Sequence, residues 1–379
     1  MRQDLQARRE IVSEQAGKSK AANRITAGRR VVLLLLAALF LSVLSCGCSG
    51  AGRNTSSKGP ETFVPDSSMT ASQYLIEPER LQSKADAYTP VKNEMPGLWV
   101  PTYVNHQDGL WFLVDCYHNQ IICHNNMTDP LTDWDVLPGE MSQPHTIASD
   151  GKVYLADDTE NNRVVVFEKI DGKLLMTQIF DQIGNRPHFT AYDKATDTFY
   201  VWSSRSGELY CFRHAKDDSR VYLTEVKKVD ELSGIYIRSF TIIGDKIYFV
   251  SGFGTGQPAQ ILCCSLDTLE VLERYDVPDE LAGMVQITPV GSHFLITTST
   301  DISGNQDAAT MVRVASLDDL SSKDYEDVYT EHFIGGGTPY YITKIDDRYY
   351  LCEHRVPEHS IWSFSIDKDD QITNVEALY

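Results

Sequence analysis

The residues from Leu98 onwards follow a pattern that recurs six times in the chain. Each unit has a first strand that begins with proline or a polar residue, a turn with glycine or aspartate, an aromatic-rich second strand, a polar loop and two further strands. The second strands begin 42, 46, 48, 47 and 55 positions apart, at Trp111, Val153, Phe199, Ile247, Phe294 and Tyr349. Units of four short strands, repeated about every 40–50 residues, are typical of propeller blades. The sequence therefore predicts an all-β fold, a six-bladed β-propeller with blades of about four antiparallel strands.

The second unit carries the most specific motif. It contains Pro144-His145, an Asp150-Gly151 turn, the strand VYLAD at residues 153–157 and the turn Asn161-Asn162-Arg163. This series resembles the NHL repeat, in which a proline precedes the first strand and an Asp-Gly turn leads into an aliphatic-Tyr-aliphatic-Ala-Asp strand. The resemblance is partial in unit one and reduces to the strand pattern in units three to six. It implies an NHL-like propeller and says little about activity, because one fold hosts many functions.

The first 45 residues have the organisation of a signal peptide. Residues 1–30 hold eight basic and three acidic side chains, and residues 31–44 read VVLLLLAALFLSVL. This apolar run is shorter than the roughly 20 residues that span a membrane, so it is typical of a signal peptide. The residues around Cys46 (VLSCG) resemble a bacterial lipobox, which implies acylation of Cys46. An uncleaved signal anchor, cleavage before Cys48 and a start downstream of the basic leader are the alternatives.

We expect four parts in the chain. Residues 1–45 form a lipoprotein-type signal peptide, residues 46–70 a flexible stalk rich in Ser, Gly, Thr and Pro, residues 71–97 an N-terminal extension that packs on the domain, and residues 98–379 the propeller. The lipobox resemblance places the protein on the extracytoplasmic face of a bacterial cell membrane, held there by its lipid anchor. We expect a monomer.

The charge of the chain excludes one class of partner. The formal net charge is −19, and without residues 1–45 it becomes −24, with 26 basic and 50 acidic residues. A general nucleic-acid binder needs a basic footprint, so no nucleic-acid partner is expected.

Six cysteines lie in the repeat region. Cys123, Cys211 and Cys263 occupy the same position in the third strands of three units. Neighbouring blades are about 10 Å apart, which exceeds the reach of a disulfide. We interpret these three, together with Cys116, Cys264 and Cys352, as small buried hydrophobic residues. The alternative is a disulfide framework, as in other exported proteins.

The candidate site follows from propeller geometry. The loop that leads into the innermost strand and the loop between the second and third strands open on the same face of the ring. Polar and cationic residues are concentrated at these positions, and the candidate ligand-binding residues are His145, His188, Arg205, Arg238, His354 and Arg355, with Tyr340 as a wall. Such a mouth attracts anions, so we expect an anionic small molecule, glycan or peptide as ligand.

Two resemblances support an enzyme as the alternative function. The consecutive Pro-His pairs resemble the inner-ring histidines of peptidylglycine-amidating lyase, an NHL-type propeller with a histidine-bound metal. The next two units carry Arg238 and Gln286 instead, and His354 is the one candidate third ligand. No metal or other cofactor is therefore expected, with a divalent metal as the alternative.

Six-bladed lactonases bind calcium through carboxylates at this mouth, and streptogramin lyase, which resembles them in fold, uses a histidine base. Asp115, Asp157 and Glu353 are the matching carboxylates here, and we favour a loop-capping role for them. The glycine-rich segment 252–256 precedes no helix, so it is a loop between strands and not a phosphate site. A lyase or lactone hydrolase, and a protein-interaction scaffold that uses an acidic rim, remain alternatives to ligand binding.

Overall fold

The computed structural model describes residues 69–215, 218–250 and 258–379. The predicted signal peptide, the lipidation site Cys46, nearly all of the stalk and the glycine-rich segment 252–256 lie outside the described residues. Among the described residues, no helix has the length and apolar character that a membrane span requires.

The described residues form six antiparallel sheets arranged as the blades of a propeller, which confirms the predicted fold. Two short strands precede the blades, β1 (Tyr74–Leu75) and β2 (Val91–Lys92). Blade 1 comprises β3 (Pro101–Gln107), β4 (Leu110–Asp115), β5 (Gln120–His124) and β6 (Asp135–Val136). Blade 2 comprises β7 (Ile147–Ser149), β8 (Val153–Asp158), β9 (Arg163–Ile170) and β10 (Lys173–Phe180). Blade 3 comprises β11 (Pro187–Asp193), β12 (Thr198–Ser203), β13 (Glu208–His214) and β14 (Val221–Lys228).

The other three blades follow in the same order. Blade 4 comprises β15 (Phe240–Ile243), β16 (Lys246–Val250), β17 (Gln260–Ser265) and β18 (Val271–Asp276). Blade 5 comprises β19 (Met284–Val290), β20 (His293–Thr298), β21 (Thr310–Val314) and β22 (Glu326–Asp327). Blade 6 comprises β23 (Thr338–Ile345), β24 (Arg348–His354), β25 (Ile361–Ile366) and β26 (Ile372–Ala377). Two α-helices of the described residues lie outside the sheets, α1 (Pro78–Ala87) and α2 (Tyr329–His332).

Asp-Gly pairs form tight hairpins within the blades. Asp108 and Gly109 join β3 to β4, and both have positive φ, at 53° and 74°. Two-residue hairpins of this kind need positive φ at both central positions, and aspartate and glycine tolerate that conformation best. This turn therefore fixes the register of β3 and β4.

Side chains bond successive inner strands to one another around the ring. The Thr102 hydroxyl of blade 1 donates to the His145 carbonyl of blade 2 at 2.8 Å. The Thr241 hydroxyl of blade 4 donates to the Ile287 carbonyl of blade 5 at 2.6 Å. These bonds satisfy backbone carbonyls at the crowded centre of the ring, where the strands converge and no ladder partner is available.

The ring closes without strand exchange, because blade 6 supplies its own outer strand β26, which pairs with β25. The terminal residue Tyr379 then reaches across to blade 1, where its hydroxyl donates to the carbonyls of Met127 and Asp129, the latter at 2.8 Å. These bonds stabilise the contact between the last blade and the first.

The residues before Leu98 contact blades 1 and 2. Strand β1 pairs with the outer strand β10, and β2 pairs with the outer strand β6. The Lys173 ammonium group donates to the carbonyls of Ala85 and Tyr88 at the end of α1, both at 2.8 Å. The pairing covers two outer edges that a sheet would otherwise leave open.

All six cysteines of the described residues are buried and form no disulfide. Burial raises the pKa of the Cys123 and Cys211 thiols to about 12, so both remain protonated at neutral pH. The interpretation of these cysteines as small core residues is confirmed.

Candidate functional site

A recurrent irregularity positions the side chains at the mouth, by which we mean the opening on the side where the inner strands begin. The pairing of the first and second strands shifts at the start of β3, β11, β19 and β23. Bulges of this kind re-aim side chains next to binding sites. His188 lies at the bulge of β11, and Tyr340 and Tyr341 lie at the bulge of β23.

His145 is held at the start of blade 2 by three groups. Its backbone N–H donates to Asp157 Oδ1 at 2.8 Å, Nδ1 lies 2.9 Å from Thr159 Oγ1, and Nε2 lies 3.6 Å from Cys116 Sγ. Burial, with a further contribution from the positive charge of Arg186, lowers the pKa of His145 to about 3. His145 is therefore an uncharged imidazole at neutral pH.

His188 stacks on His145, with ring centroids 3.6 Å apart. Nδ1 lies 3.0 Å from both the Arg238 carbonyl and the Tyr341 hydroxyl, and Nε2 lies 2.8 Å from the Tyr236 hydroxyl. A neutral ring with the proton on Nδ1 fits this set, because it donates to the carbonyl and accepts from Tyr236. Burial and the adjacent His145 ring hold the pKa of His188 well below its ordinary value.

Aromatic side chains fill the centre of the ring next to the two histidines. Tyr341 of blade 6 is fully buried, and its ring centroid lies 5.0 Å from Phe189 of blade 3 and 6.1 Å from Tyr103 of blade 1. Phe189 in turn lies 5.1 Å from Phe240 of blade 4. The histidines therefore rest on an apolar floor that belongs to four blades, which fixes their positions.

Three arginines surround the ring of Tyr236. The guanidinium carbons of Arg186, Arg205 and Arg238 lie 5.8, 5.5 and 5.1 Å from its centroid. Arg186 pairs with Glu160. Within the described residues, no carboxylate pairs with Arg205 or Arg238. Cation–π contacts position such guanidinium groups without using their N–H donors. Arg238 also donates from one nitrogen to the Met284 carbonyl at 3.4 Å.

His354 and Tyr340 form the side of the mouth that belongs to blade 6. Their ring centroids are 5.5 Å apart, and that of Tyr340 lies 6.4 Å from His145. Burial and the charges of Arg238 and Arg355 lower the pKa of His354 to about 4. Its Nδ1 atom is buried and has no hydrogen-bond partner among the described residues. His354 therefore has one buried nitrogen whose hydrogen-bonding capacity no described residue satisfies.

Arg355 is turned towards blade 5. It donates to the Gln306 carbonyl at 2.7 Å and to Asp307 Oδ1 at 3.1 Å. Its charge is already paired, so it is a rim residue of the site and not one of the unpaired cations.

The three carboxylates near the mouth are occupied by protein donors. Asp115 accepts the N–H groups of Trp99 and Val100, each at 3.1 Å. Glu353 accepts the Trp362 indole N–H at 2.6 Å and the Tyr329 hydroxyl. Asp157 accepts four hydrogen bonds from residues 145, 146 and 159. Across the described ranges, no three His, Cys, Asp or Glu side chains are grouped as a metal site would require.

The structure thus brings His145, His188, Arg238, His354 and Tyr340 together, with Arg205 beside them on the ring of Tyr236. Sequence reasoning missed two members of this site. Arg186 directly precedes the Pro187-His188 pair, and Tyr236 lies two positions before Arg238. Arg186 and Tyr236 do not occupy the position in the repeat that holds His188 and Arg238, so the repeat pattern alone does not indicate them.

Comparisons with known proteins agree with this fold. Residues 141–167 match the family model of the NHL repeat. This match covers the second unit, where the motif is most complete. The comparison with curated proteins gave no match.

Several solved structures share the architecture. Two putative 6-phosphogluconolactonases, from Bacteroides uniformis ATCC 8492 and Bacteroides fragilis NCTC 9343, both superpose with a TM-score of 0.52, at 13% and 14% sequence identity. The matches cover 75% and 72% of this chain and 85% and 82% of theirs. Kuenenia stuttgartiensis hydrazine synthase matches with a TM-score of 0.51 at 14% identity, over 74% of this chain and 80% of its own. At such identities the likeness shows the propeller fold alone.

Proposed function

We propose that the protein binds an anionic ligand at the mouth of the propeller through Arg205 and Arg238. The observation that carries this proposal is the lack of a carboxylate partner for these two arginines within the described residues, in a chain with 53 acidic and 34 basic side chains. In such an acidic protein most arginines find a carboxylate. Two guanidinium groups beside the same Tyr236 ring, neither paired with a carboxylate of the described residues, favour an anion as partner.

No free charge on the neighbouring histidines or carboxylates described above competes with an anion for Arg205 and Arg238. His145, with a pKa lowered to about 3, and His354, with a pKa lowered to about 4, add no charge at neutral pH. Both ring nitrogens of His145 already contact Thr159 and Cys116, so His145 acts as a neutral wall of the site. Asp115, Asp157 and Glu353 are bonded to protein donors, as described above. A histidine with so low a pKa is a weak base at neutral pH, which favours binding over proton abstraction.

The location of the protein is part of the proposal. A lipid anchor at Cys46 would hold the propeller outside the cell membrane, where its ligand would be an extracytoplasmic anion. Labelling of cells with a palmitate analogue tests the anchor. We expect label on the wild type and none on Cys46→Ala, and label that persists in Cys46→Ala would contradict the assignment.

Titration of the purified protein with sulfate, phosphate and citrate tests the anion site. We expect saturable binding by calorimetry, and a Kd that rises about tenfold or more in Arg205→Gln and Arg238→Gln, which corresponds to 1.4 kcal/mol per factor of ten. Arg274→Gln is the matched control, because Arg274 is on the outer strand of blade 4 and pairs there with Glu231. Equal affinities in all four proteins would refute the proposal.

A further inference from the structure

Two large aromatic side chains are exposed on blade 1. Trp99 is 60% exposed and Tyr117 is 48% exposed. Their rings meet edge to face, with centroids 5.4 Å apart and planes at 89°. We call this pair the aromatic platform. The exposed parts of both rings leave apolar area in contact with water, and Trp and Tyr are enriched at binding surfaces.

Hydrogen bonds to the buried Asp115 carboxylate hold the platform in place. The Trp99 N–H donates to the buried Asp115 carboxylate, with 3.1 Å to Oδ1. The same carboxylate lies 2.5 Å from Nδ1 of His118, whose ring centroid is 5.7 Å from that of Trp99. The backbone of Trp99 and the neighbouring ring are thus anchored while the indole remains in water. A ligand would find this surface already formed, which lowers the entropic cost of binding.

The platform borders the mouth. Tyr117 directly follows Cys116, whose Sγ lies 3.6 Å from Nε2 of the mouth residue His145. The positive charge of Arg186 is near enough to Tyr117 to act on its phenol. Arg186 shares the ring of Tyr236 with Arg205 and Arg238, which pair with no carboxylate among the described residues. The aromatic platform of blade 1 therefore adjoins the arginines of blades 3 and 4.

We infer that the ligand of this mouth is an acidic oligosaccharide, with its carboxylate or sulfate on Arg205 and Arg238 and a neighbouring pyranose ring on Trp99. This inference rests on the proposed anion site and names the class of its ligand. A pyranose has an apolar C–H face that fits an indole and hydroxyl groups that stay hydrated. A wholly apolar ligand group would instead require an enclosed pocket, and Trp99 is mostly open to water.

The test compares acidic oligosaccharides with their single-sugar and neutral counterparts. The probes are trigalacturonate, a hyaluronan tetrasaccharide and 3′-sialyllactose, each with its acidic monosaccharide, plus the methyl ester of trigalacturonate. We expect at least one oligosaccharide to bind about tenfold or more tightly than its monosaccharide and to change the fluorescence of the wild type but not of Trp99→Phe. The methyl ester should bind weakly, because it lacks the charge.

Variants separate this inference from the anion site itself. Trp99→Ala should remove the gain from the additional sugars and leave sulfate binding unchanged, whereas Arg238→Gln should weaken both. Leu272→Ala is the control, since Leu272 is 48% exposed on the outer strand of blade 4. If sulfate binds through Arg238 but no oligosaccharide of the set shows a Trp99-dependent gain, the inference is wrong and the anion site stands. If no anion binds at all, both are wrong.

Discussion

The imidazole rings of His145 and His188 lie face to face, with centroids 3.6 Å apart and planes inclined by 29°. The two residues begin the inner strands of neighbouring blades, and both are buried beside Arg238. Two protonated rings at this distance would repel each other without water to screen them. The pair is therefore stable as two neutral rings, and proton uptake opposes folding.

The first prediction is a loss of stability in acid. The pKa values of His145, His188 and His354 are lowered in the folded state, so the unfolded chain binds their protons first as the pH falls below about 6.5. Each histidine then lowers the free energy of unfolding by about 1.4 kcal/mol per pH unit. This loss continues until the pH reaches the pKa of the folded state, about 4 for His354 and about 3 for His145. Burial raises the pKa of Asp157 from its ordinary value of 3.8 to about 7. Between these pH values the folded state binds a proton at Asp157, which offsets the destabilisation by one histidine.

Denaturant titrations at pH 7.5, 6, 5 and 4.5 measure this slope. His145→Gln should flatten the slope by about one histidine's contribution. A wild-type stability that stays constant from pH 6.5 to 4.5 would mean that the mouth histidines titrate normally.

Strand positions could be predicted because the signals are local. The second strand of blade 2, at residues 153–157, combines a turn, β-branched and aromatic residues, and a closing aspartate within a few positions. The added strands β1 and β2 have two residues each, which is too short for any periodicity to appear. Their pairing depends on open edges of distant strands, and sequence patterns carry no information about such edges.

The mouth could be predicted in part for the same reason. The Pro-His pairs at 144–145 and 187–188 recur at one place in the repeat, so their convergence follows from the fold. The fold does not determine which side chain each arginine contacts. Arg355 bonds to Asp307 of blade 5, whereas Arg205 lies over the ring of Tyr236, and both outcomes depend on loop conformations that no repeat specifies.

The second prediction concerns the buried carboxylate of Asp157. Its two oxygens accept hydrogen bonds from the backbone N–H groups of His145 and Thr146, at 2.8 and 2.9 Å, and from two threonine hydroxyls. Asp157→Asn would point an amide N–H at another donor. We expect a loss of about 2–4 kcal/mol in the free energy of unfolding at pH 8. Asp193→Asn, at the half-buried end of β11, should cost less than about 1 kcal/mol, and equal losses would contradict a capping role for Asp157.

The third prediction concerns the connector into blade 6. Gly337 donates its N–H to the Tyr329 hydroxyl at 3.1 Å, and a Cβ at this position would overlap the Glu353 carboxylate. Gly337→Ala must displace Glu353, so we expect a loss of at least about 2 kcal/mol by denaturant unfolding. Gly97→Ala, where the added Cβ meets nothing within 4 Å, is the control and should be nearly neutral. A tolerated Gly337→Ala would show that this contact is not tightly packed.

The fourth prediction links Tyr341 of the apolar floor to the position of Arg238. The Tyr341 hydroxyl donates to the Arg238 carbonyl at 2.7 Å, across the ring from blade 6 to blade 4. Tyr341→Phe removes this buried bond and leaves the carbonyl to His188 alone. We expect a loss of about 1–2 kcal/mol in unfolding free energy, because a buried acceptor loses a donor. We also expect sulfate affinity to fall about threefold or more by calorimetry, since the backbone that positions the Arg238 guanidinium is less constrained. Tyr192→Phe removes a hydroxyl that donates to Asp197 at the surface, and it should change neither quantity. If Tyr341→Phe lowers stability but leaves affinity unchanged, the floor supports the fold without positioning Arg238.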